Sequence, residues 1–414
     1  MSVKRSSSGA PAAPSLGRAK IAALMGLAAV GLGACATTSA PPVAGPVGPA
    51  APPETVVQTR DGVTPPFMAG RPIVRVGLLL PFSARPQDAS ALYSAAELAL
   101  FDHGNQNTLL IPRDAGADAA SAQAATRALI NDGADIIIGP VLADGVQSAG
   151  REAHTQSVPV IGFSSDRTVA GNGVYLLSFQ LEDEVARIVS YAAAHNIRSI
   201  ALLAPSNEYG RRVESALRSA ATSQGVTVTA VELYNRTDAD AANSARQIAT
   251  RFGATPPQAL LIAESGSVLR AIGPALVQGG VDLHRVRLLG TSAWAGGDAE
   301  REPTLAGGWY VSPDPGARTD FESRYQAVFS KQPTRLASLA YDAVALAAAL
   351  SRDRGAQGFA SSQLENSEGF LGSDGIFRFR SDGTIERGLA IMEVRAGSSV
   401  PVDPAPRRFT RSGT

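Results

Sequence analysis

The sequence predicts an α/β fold of doubly wound parallel sheets with helices on both faces. Three observations support that prediction. The run IVRVGLLLPF at 73–82 is apolar but for Arg75, too apolar for a strand with one wet face and as expected of a parallel strand covered by helices on both sides. From 73 to 291 such runs alternate with amphipathic stretches of helical period, and repeated strand–helix units build parallel sheets through right-handed crossovers. With 44% hydrophobic residues among 414, the chain has enough apolar side chain for one or two cores.

The elements follow in order. After the first strand, ALYSAAELALF at 91–101 reads as an amphipathic helix. LLIPRD from 109 is the second strand, SAQAATRALINDG from 121 the next helix, and DIIIGP from 135 the third strand. A helix near 145–155 and the strand VPVIGF from 158 complete this first group. The second group starts with a helix at 183–195, strand SIALLAP at 199–205 and a helix at 210–224. Strand VTVTAVELY at 226–234, a helix at 239–252 and strand QALLIAE at 258–264 come next. A helix at 267–279 and strand RLLGT at 287–291 end it. After GGWYVSP the pattern gives helices at about 319–329 and 338–350. A hairpin-like GIFRFRSDGTIERGLAIMEVRAG closes the fold, with Ser381-Asp382-Gly383 as its turn. Parallel strands end along a common edge, so ligand-binding residues are expected in the loops that follow them.

The N-terminus reads as an address. Lys4, Arg5, Arg18 and Lys20 precede the apolar run IAALMGLAAVGLGA at 21–34. Its 14 residues are too few to cross ~30 Å of hydrocarbon, which takes about 20, so 1–34 is expected to be a secretory signal. The run ends in Leu32-Gly33-Ala34-Cys35, which resembles the bacterial lipobox and makes Cys35 the expected lipid-attachment residue. Ala36, rather than an aspartate, follows it, which by the same resemblance favours sorting to the outer membrane. Residues 35–70 are rich in Pro, Ala and Gly with no hydrophobic period, as in an extended tether that reaches about 110 Å at ~3.1 Å per residue. The folded module is expected from 71 to 410.

Composition narrows the function. Lys plus Arg and Asp plus Glu are both 37, so there is no basic excess to favour nucleic acid. Cys35 is the only cysteine, which excludes a disulfide within the chain and any cysteine metal cluster. His103, His154, His195 and His284 are scattered without metal-ligating spacing. No phosphate-binding loop, nucleophile elbow or zinc-peptidase pattern occurs. Gly171-Asn172-Gly173 reads as a turn, and Glu182-Asp183-Glu184 as acids favoured by a helix N-terminus. The expectation is a binding protein, without catalysis, cofactor or metal.

The element order, with VGLLLPFS, IIIGPV, VPVIGFSS, NEYGRRVESAL, LASLAYDAVALAAAL and GIFRFRSDGTIERGLAIMEV, resembles type I periplasmic-binding proteins of the branched-chain amino-acid receptor class over residues 72–410. The resemblance implies two lobes joined by three crossovers around a cleft. The first lobe would be about 72–179 plus 315–358, the second about 180–314 plus 359–410. In that class, hydroxyls after the third and fourth strands hold a ligand carboxylate, and an acid of the second lobe holds its ammonium. Here Asp144 stands where a hydroxyl cluster is expected, and an aspartate repels a carboxylate. Ser83, Ser164 and Ser165 follow first-lobe strands, while Tyr209, Glu264 and Ser292 are the second-lobe candidates. Asp144 and the serines have alternative roles as helix caps and loop braces. Trp294 is expected to anchor a partner or line the cleft.

A closer resemblance is to the C-terminal domain of outer-membrane lipoprotein activators of penicillin-binding proteins. It rests on the lipobox, the VGLLLPFS opening, the SNxxGxRV-like segment, LLIAESGSVLRAIGPALVQGG, and Arg335-Leu336-Ala337 before Tyr341-Asp342-Ala343. Enterobacterial activators carry a helical-repeat domain ahead of this module, where a short tether stands here. The resemblance implies a non-catalytic envelope lipoprotein that binds and regulates a peptidoglycan synthase, a class A penicillin-binding protein. The alternative is a receptor delivering amino acids or another small polar molecule to an ABC permease.

Overall fold

Burial on both faces makes Val74–Leu80 a strand, β1, as its apolar run requires. The computed structural model describes residues 72–409 except 105, with 64, 65, 68 and 70. The signal segment, Cys35 and most of the tether lie outside the described residues. Helix α1 (Pro86–His103) begins on a proline, whose missing N–H is no loss in a first turn, and buries Leu92, Ala96 and Ala99. Strand β2 (Thr108–Asp114) leads to α2 (Ala119–Asn131), where Asp118 caps the helix by accepting from the Ser121 N–H. Then come β3 (Ile136–Ile138), α3 (Ala143–His154), β4 (Val160–Gly162) and β5 (Val174–Leu176). These strands form one parallel sheet in the order β2-β1-β3-β4-β5. Gly139 lets the loop after β3 lie against β1: its φ is +96°, and a Cβ there would come within 2.0 Å of the Leu79 carbonyl oxygen.

The second lobe opens with α4 (Leu181–Ala194) and β6 (Ser199–Pro205). It continues through α5 (Glu208–Gln224), β7 (Thr227–Tyr234), α6 (Asp238–Phe252), β8 (Ala259–Ile262), α7 (Gly266–Gln278), β9 (Arg287–Gly290) and β10 (Trp309–Ser312). The chain then returns to the first lobe as α8 (Pro315–Phe329), α9 (Ala337–Ser351) and the short α10 (Ser361–Leu364). A small antiparallel sheet follows, of β11 (Phe370–Gly372), β12 (Gly375–Phe379) and β13 (Ile385–Arg387). Finally β14 (Ala390–Arg395) and β15 (Ser398–Asp403) join the second sheet, whose order is β15-β14-β10-β9-β8-β6-β7. Its β6 to β10 strands pair in parallel, whereas β14 and β15 form an antiparallel edge.

The fold is the two-lobed α/β architecture the sequence implied, with one boundary corrected. The last return to the second lobe was expected at 359, but it falls between β13 and β14. Phe359, Leu364, Phe377, Phe379 and Ile385 pack into the same buried cluster as Leu78, Leu92 and Ala340, which is the first-lobe core. The terminal segment therefore divides at Gly388: β12 and β13 are a first-lobe hairpin, and β14 belongs to the other sheet. The chain thus crosses between lobes after β5, after β10 and after β13.

Candidate binding site

A cavity of about 440 Å³ lies between the lobes at the C-terminal ends of the second-lobe strands. The first turns of α5 present Tyr209 and Arg212, and the Asn207 side chain caps that helix by accepting from the Gly210 N–H at 3.1 Å. Arg236 enters after β7, Glu264 and Ser265 after β8, and Ser292 after β9. From the other side come Ser165 after β4, Phe179 at the first crossing, and Arg335 just before α9.

The carboxylates of this cavity are already engaged. Glu264 is 2% exposed; its Oε2 accepts from the Tyr234 hydroxyl at 2.9 Å, and its Oε1 from Arg236 Nε and the Ser265 N–H, each at 2.9 Å. Burial and the Glu264 charge hold the Tyr234 phenol far above its usual range. Burial pushes Tyr209 up to about 12, and its hydroxyl is 2.9 Å from Thr291 Oγ1. Glu184, also buried, accepts from the Ser292 N–H at 3.0 Å and from Ser292 Oγ at 2.6 Å. Arg335 Nη2 donates to that same Ser292 oxygen at 2.6 Å and lies 3.6 Å from Glu184. Burial raises the Glu184 carboxyl above its ordinary range, with Arg335 and Ser292 opposing the shift.

Glu182-Asp183-Glu184 does more than complement the α4 dipole. Asp183 sits 3.3 Å from Arg167 and 3.9 Å from Arg380, both first-lobe residues, and Glu184 meets Arg335, also of the first lobe. Glu182 binds Arg212 at 3.0 Å within the second lobe, and Arg212 in turn donates to the Ser165 carbonyl at 3.3 Å across the gap. The start of α4 is therefore a cross-lobe clasp.

Behind it the crossings run past buried polar groups. Arg387 donates Nε to the Ser178 carbonyl at 3.0 Å, and the Arg387 and Arg335 guanidiniums each lie 4.8 Å from the Phe179 ring centre. Asp374 accepts from Arg318 at 2.9 Å, and Asp342 from the Ser373 N–H at 2.6 Å. Burial and the nearby Asp374 charge push Asp342 up to about 7, against the pull of Arg387. A second cavity, of about 530 Å³, shares Arg335, Ser292 and Ala293 as a wall with the first and extends toward Arg318 and Tyr310.

The sequence-predicted residues divide clearly. Ser165, Tyr209, Glu264 and Ser292 meet in the 440 Å³ cavity. Ser164 is buried beside it, where its hydroxyl accepts from the Asp166 N–H at 3.1 Å and braces the loop. Ser83 and Asp144 are exposed and line neither large cavity. Ser83 donates its N–H to Asp114 at 3.2 Å, and Asp144 borders a separate recess of about 50 Å³ at the edge of the first sheet. Trp294 is neither partner anchor nor cleft wall. It is 0% exposed, donates Nε1 to the Ile262 carbonyl at 3.1 Å, and packs on Gly290, where a Cβ would come within 2.3 Å of the ring. Cys35 lies outside the described residues. Glu184, Arg212, Arg236, Arg335 and Phe179 were not singled out as site residues by the sequence. Arg212 sits in NEYGRRV and Arg335 directly precedes a helical pattern, but neither position reveals which way a side chain points. Among the described residues no cluster has the makings of a metal site, and no helix is long and apolar enough to cross a membrane.

Comparison with known proteins agrees with this architecture. Residues 73–399 match the family model described as periplasmic binding protein. No curated protein matches the sequence. Among solved structures, one described as a branched-chain amino acid ABC transporter from Rhodospirillum rubrum superposes with a TM-score of 0.69 at 19% identity, covering 80% of this chain and 100% of that one. A solute binding protein of an ABC transporter from Rhodopseudomonas palustris, in complex with 3,4-dihydroxy benzoic acid, gives 0.58 at 18% identity, covering 82% and 97%. A branched-chain amino acid transporter substrate binding protein from Streptococcus pneumoniae, in complex with isoleucine, gives 0.54 at 17% identity, covering 80% and 100%. By the extent of the family match and by its two-lobed fold, the chain belongs to the periplasmic binding protein family.

Proposed function

We propose that this protein is a non-catalytic receptor of the cell envelope whose cleft binds a small organic anion lacking an amine, for delivery to an ABC permease. One observation supports that choice of ligand. Every carboxylate oxygen of Glu184 and Glu264 already accepts from protein donors, whereas Arg212, Arg236 and Arg335 each keep an Nη1 with no hydrogen-bond partner among the described residues. An α-amino acid needs an acceptor for its ammonium, and this cleft offers arginine donors instead. Phe179, Leu181 and Tyr209 add apolar wall to a cavity whose volume suits a small ligand. The benzoic-acid complex of the R. palustris neighbour has a ligand of this class. In a thermal-shift panel, benzoate and hydroxybenzoates should raise the unfolding midpoint by several degrees, while leucine and isoleucine leave it in place. Stabilisation by leucine alone would contradict this ligand class.

The second reading is a docking module that regulates a class A penicillin-binding protein, and the cross-lobe clasp favours it. A module whose lobes are already joined by arginine–carboxylate pairs presents a fixed surface without a ligand. The activator-like motifs around Arg335 and Tyr341 support the same reading. Crosslinking in the native envelope separates the two: a peptidoglycan synthase would be recovered under this reading, an ABC permease under the first. In either case Cys35 carries the lipid that holds the module at the membrane, on its outer-membrane side by the Ala36 criterion. Cys35→Ala should release the protein from the membrane fraction or leave it unprocessed; normal maturation and retention would refute the anchor.

A further inference from the structure

We infer that Arg335 is the residue that couples an anion in the cleft to closure of the lobes. This rests on the anion-receptor reading above and deepens it. Arg335 belongs to the first lobe, yet its Nη2 edge reaches into the second, onto Ser292 Oγ at 2.6 Å and toward Glu184 at 3.6 Å. Glu184 is a second-lobe carboxylate whose side chain is 8% exposed, and among the described residues its hydrogen bonds within its own lobe come from the N–H and O–H of Ser292. The Arg335 contacts with Ser292 and Glu184 join one lobe to the other, so opening the lobes breaks them. The latch therefore favours the closed form.

The other edge of the same guanidinium is unspent. The Arg335 side chain is 48% exposed, its Nε and Nη1 have no hydrogen-bond partner among the described residues, and it forms part of the wall of both large cavities. A ligand carboxylate meeting that edge binds a first-lobe cation already locked to second-lobe atoms, so anion binding and closure reinforce one another. Phe179 extends the link to the hinge. Its ring lies 4.8 Å from the Arg335 guanidinium and 4.8 Å from that of Arg387, which itself holds the Ser178 carbonyl at the first crossing.

Two variants separate the two edges. Arg335→Met removes both, whereas Glu184→Gln weakens the latch and leaves the guanidinium for the ligand. The readouts are benzoate affinity by calorimetry, with benzamide as the uncharged control, and radius of gyration by X-ray scattering without ligand. Circular dichroism confirms that each variant folds. Arg335→Met should weaken benzoate binding about tenfold or more, abolish the preference over benzamide, and expand the empty protein. Glu184→Gln should expand the empty protein while keeping the benzoate preference, and Arg335→Lys should fall between wild type and Arg335→Met. Unchanged benzoate affinity in Arg335→Met overturns the inference and leaves the receptor reading intact. Equal loss in Arg335→Met and Glu184→Gln also overturns it, because Arg335 would then act through the latch alone. If the wild type binds neither benzoate nor benzamide, the anion-receptor reading falls and the coupling with it, whatever the scattering shows of the latch.

Discussion

Asp342 keeps a carboxyl in a site closed to water, facing the Asp374 carboxylate, the Ser373 N–H and the Arg387 guanidinium. Burial and Asp374 lift it to about 7, so between about pH 4 and 7 the folded protein retains a proton that the unfolded chain has released. Stability from this group is therefore present at acid pH and is lost as pH rises through that window. Glu184 and Asp183, raised by burial, act in the same direction. The unfolding midpoint should be higher at pH 5.5 than at pH 8, and Asp342→Asn should remove part of that difference. The part removed is on the order of 1–2 kcal/mol, or ~1–3 °C for a fold of this size. An identical pH slope in wild type and Asp342→Asn would contradict this account. None of it was legible in the sequence, where Asp342 is one acid in an alanine-rich helical stretch. Its neighbours lie more than thirty positions away, and only folding brings them together. The same holds for Glu264, whose place at a strand end was legible while its engagement by Tyr234 and Arg236 was not.

At the scale of elements, hydrophobic period located the central strands and the long helices, because burial on both faces leaves an apolar run, but it did not reveal the edge or short strands β5, β11 and β15. β6 spans Ser199–Pro205 as expected, and α5 and α6 begin within two residues of their expected starts. Lobe membership was harder. A strand carries the same alternation whichever core it packs on, so 359–387 looked like part of the second lobe although its aromatics fill the first. Phe377, 1% exposed, is the sharpest test of that assignment. Phe377→Ala should cost about 3–5 kcal/mol through the cavity it leaves. Hydrogen exchange should then show α1 and α9 losing protection before α5 and α6. Loss of protection first in the second lobe would restore the earlier boundary.

At the scale of the whole molecule, the three crossings set the two sheets across a cleft whose second-lobe wall is made by the loops after β6 to β9. The first-lobe loops contribute less than the family resemblance implied: Ser83 and Asp144 stay outside, and Ser165 and Arg335 face the cavity instead. Fold class followed from the sequence because it depends on the repeated alternation of strand and helix. The proposed ligand class did not, because it rests on which arginine nitrogens remain unspent among the described residues after the internal pairs form. Calorimetric titration of the wild-type protein with benzoate and with leucine tests that point most directly. The account predicts measurable benzoate binding and none for leucine; tight leucine binding with no benzoate signal would contradict it.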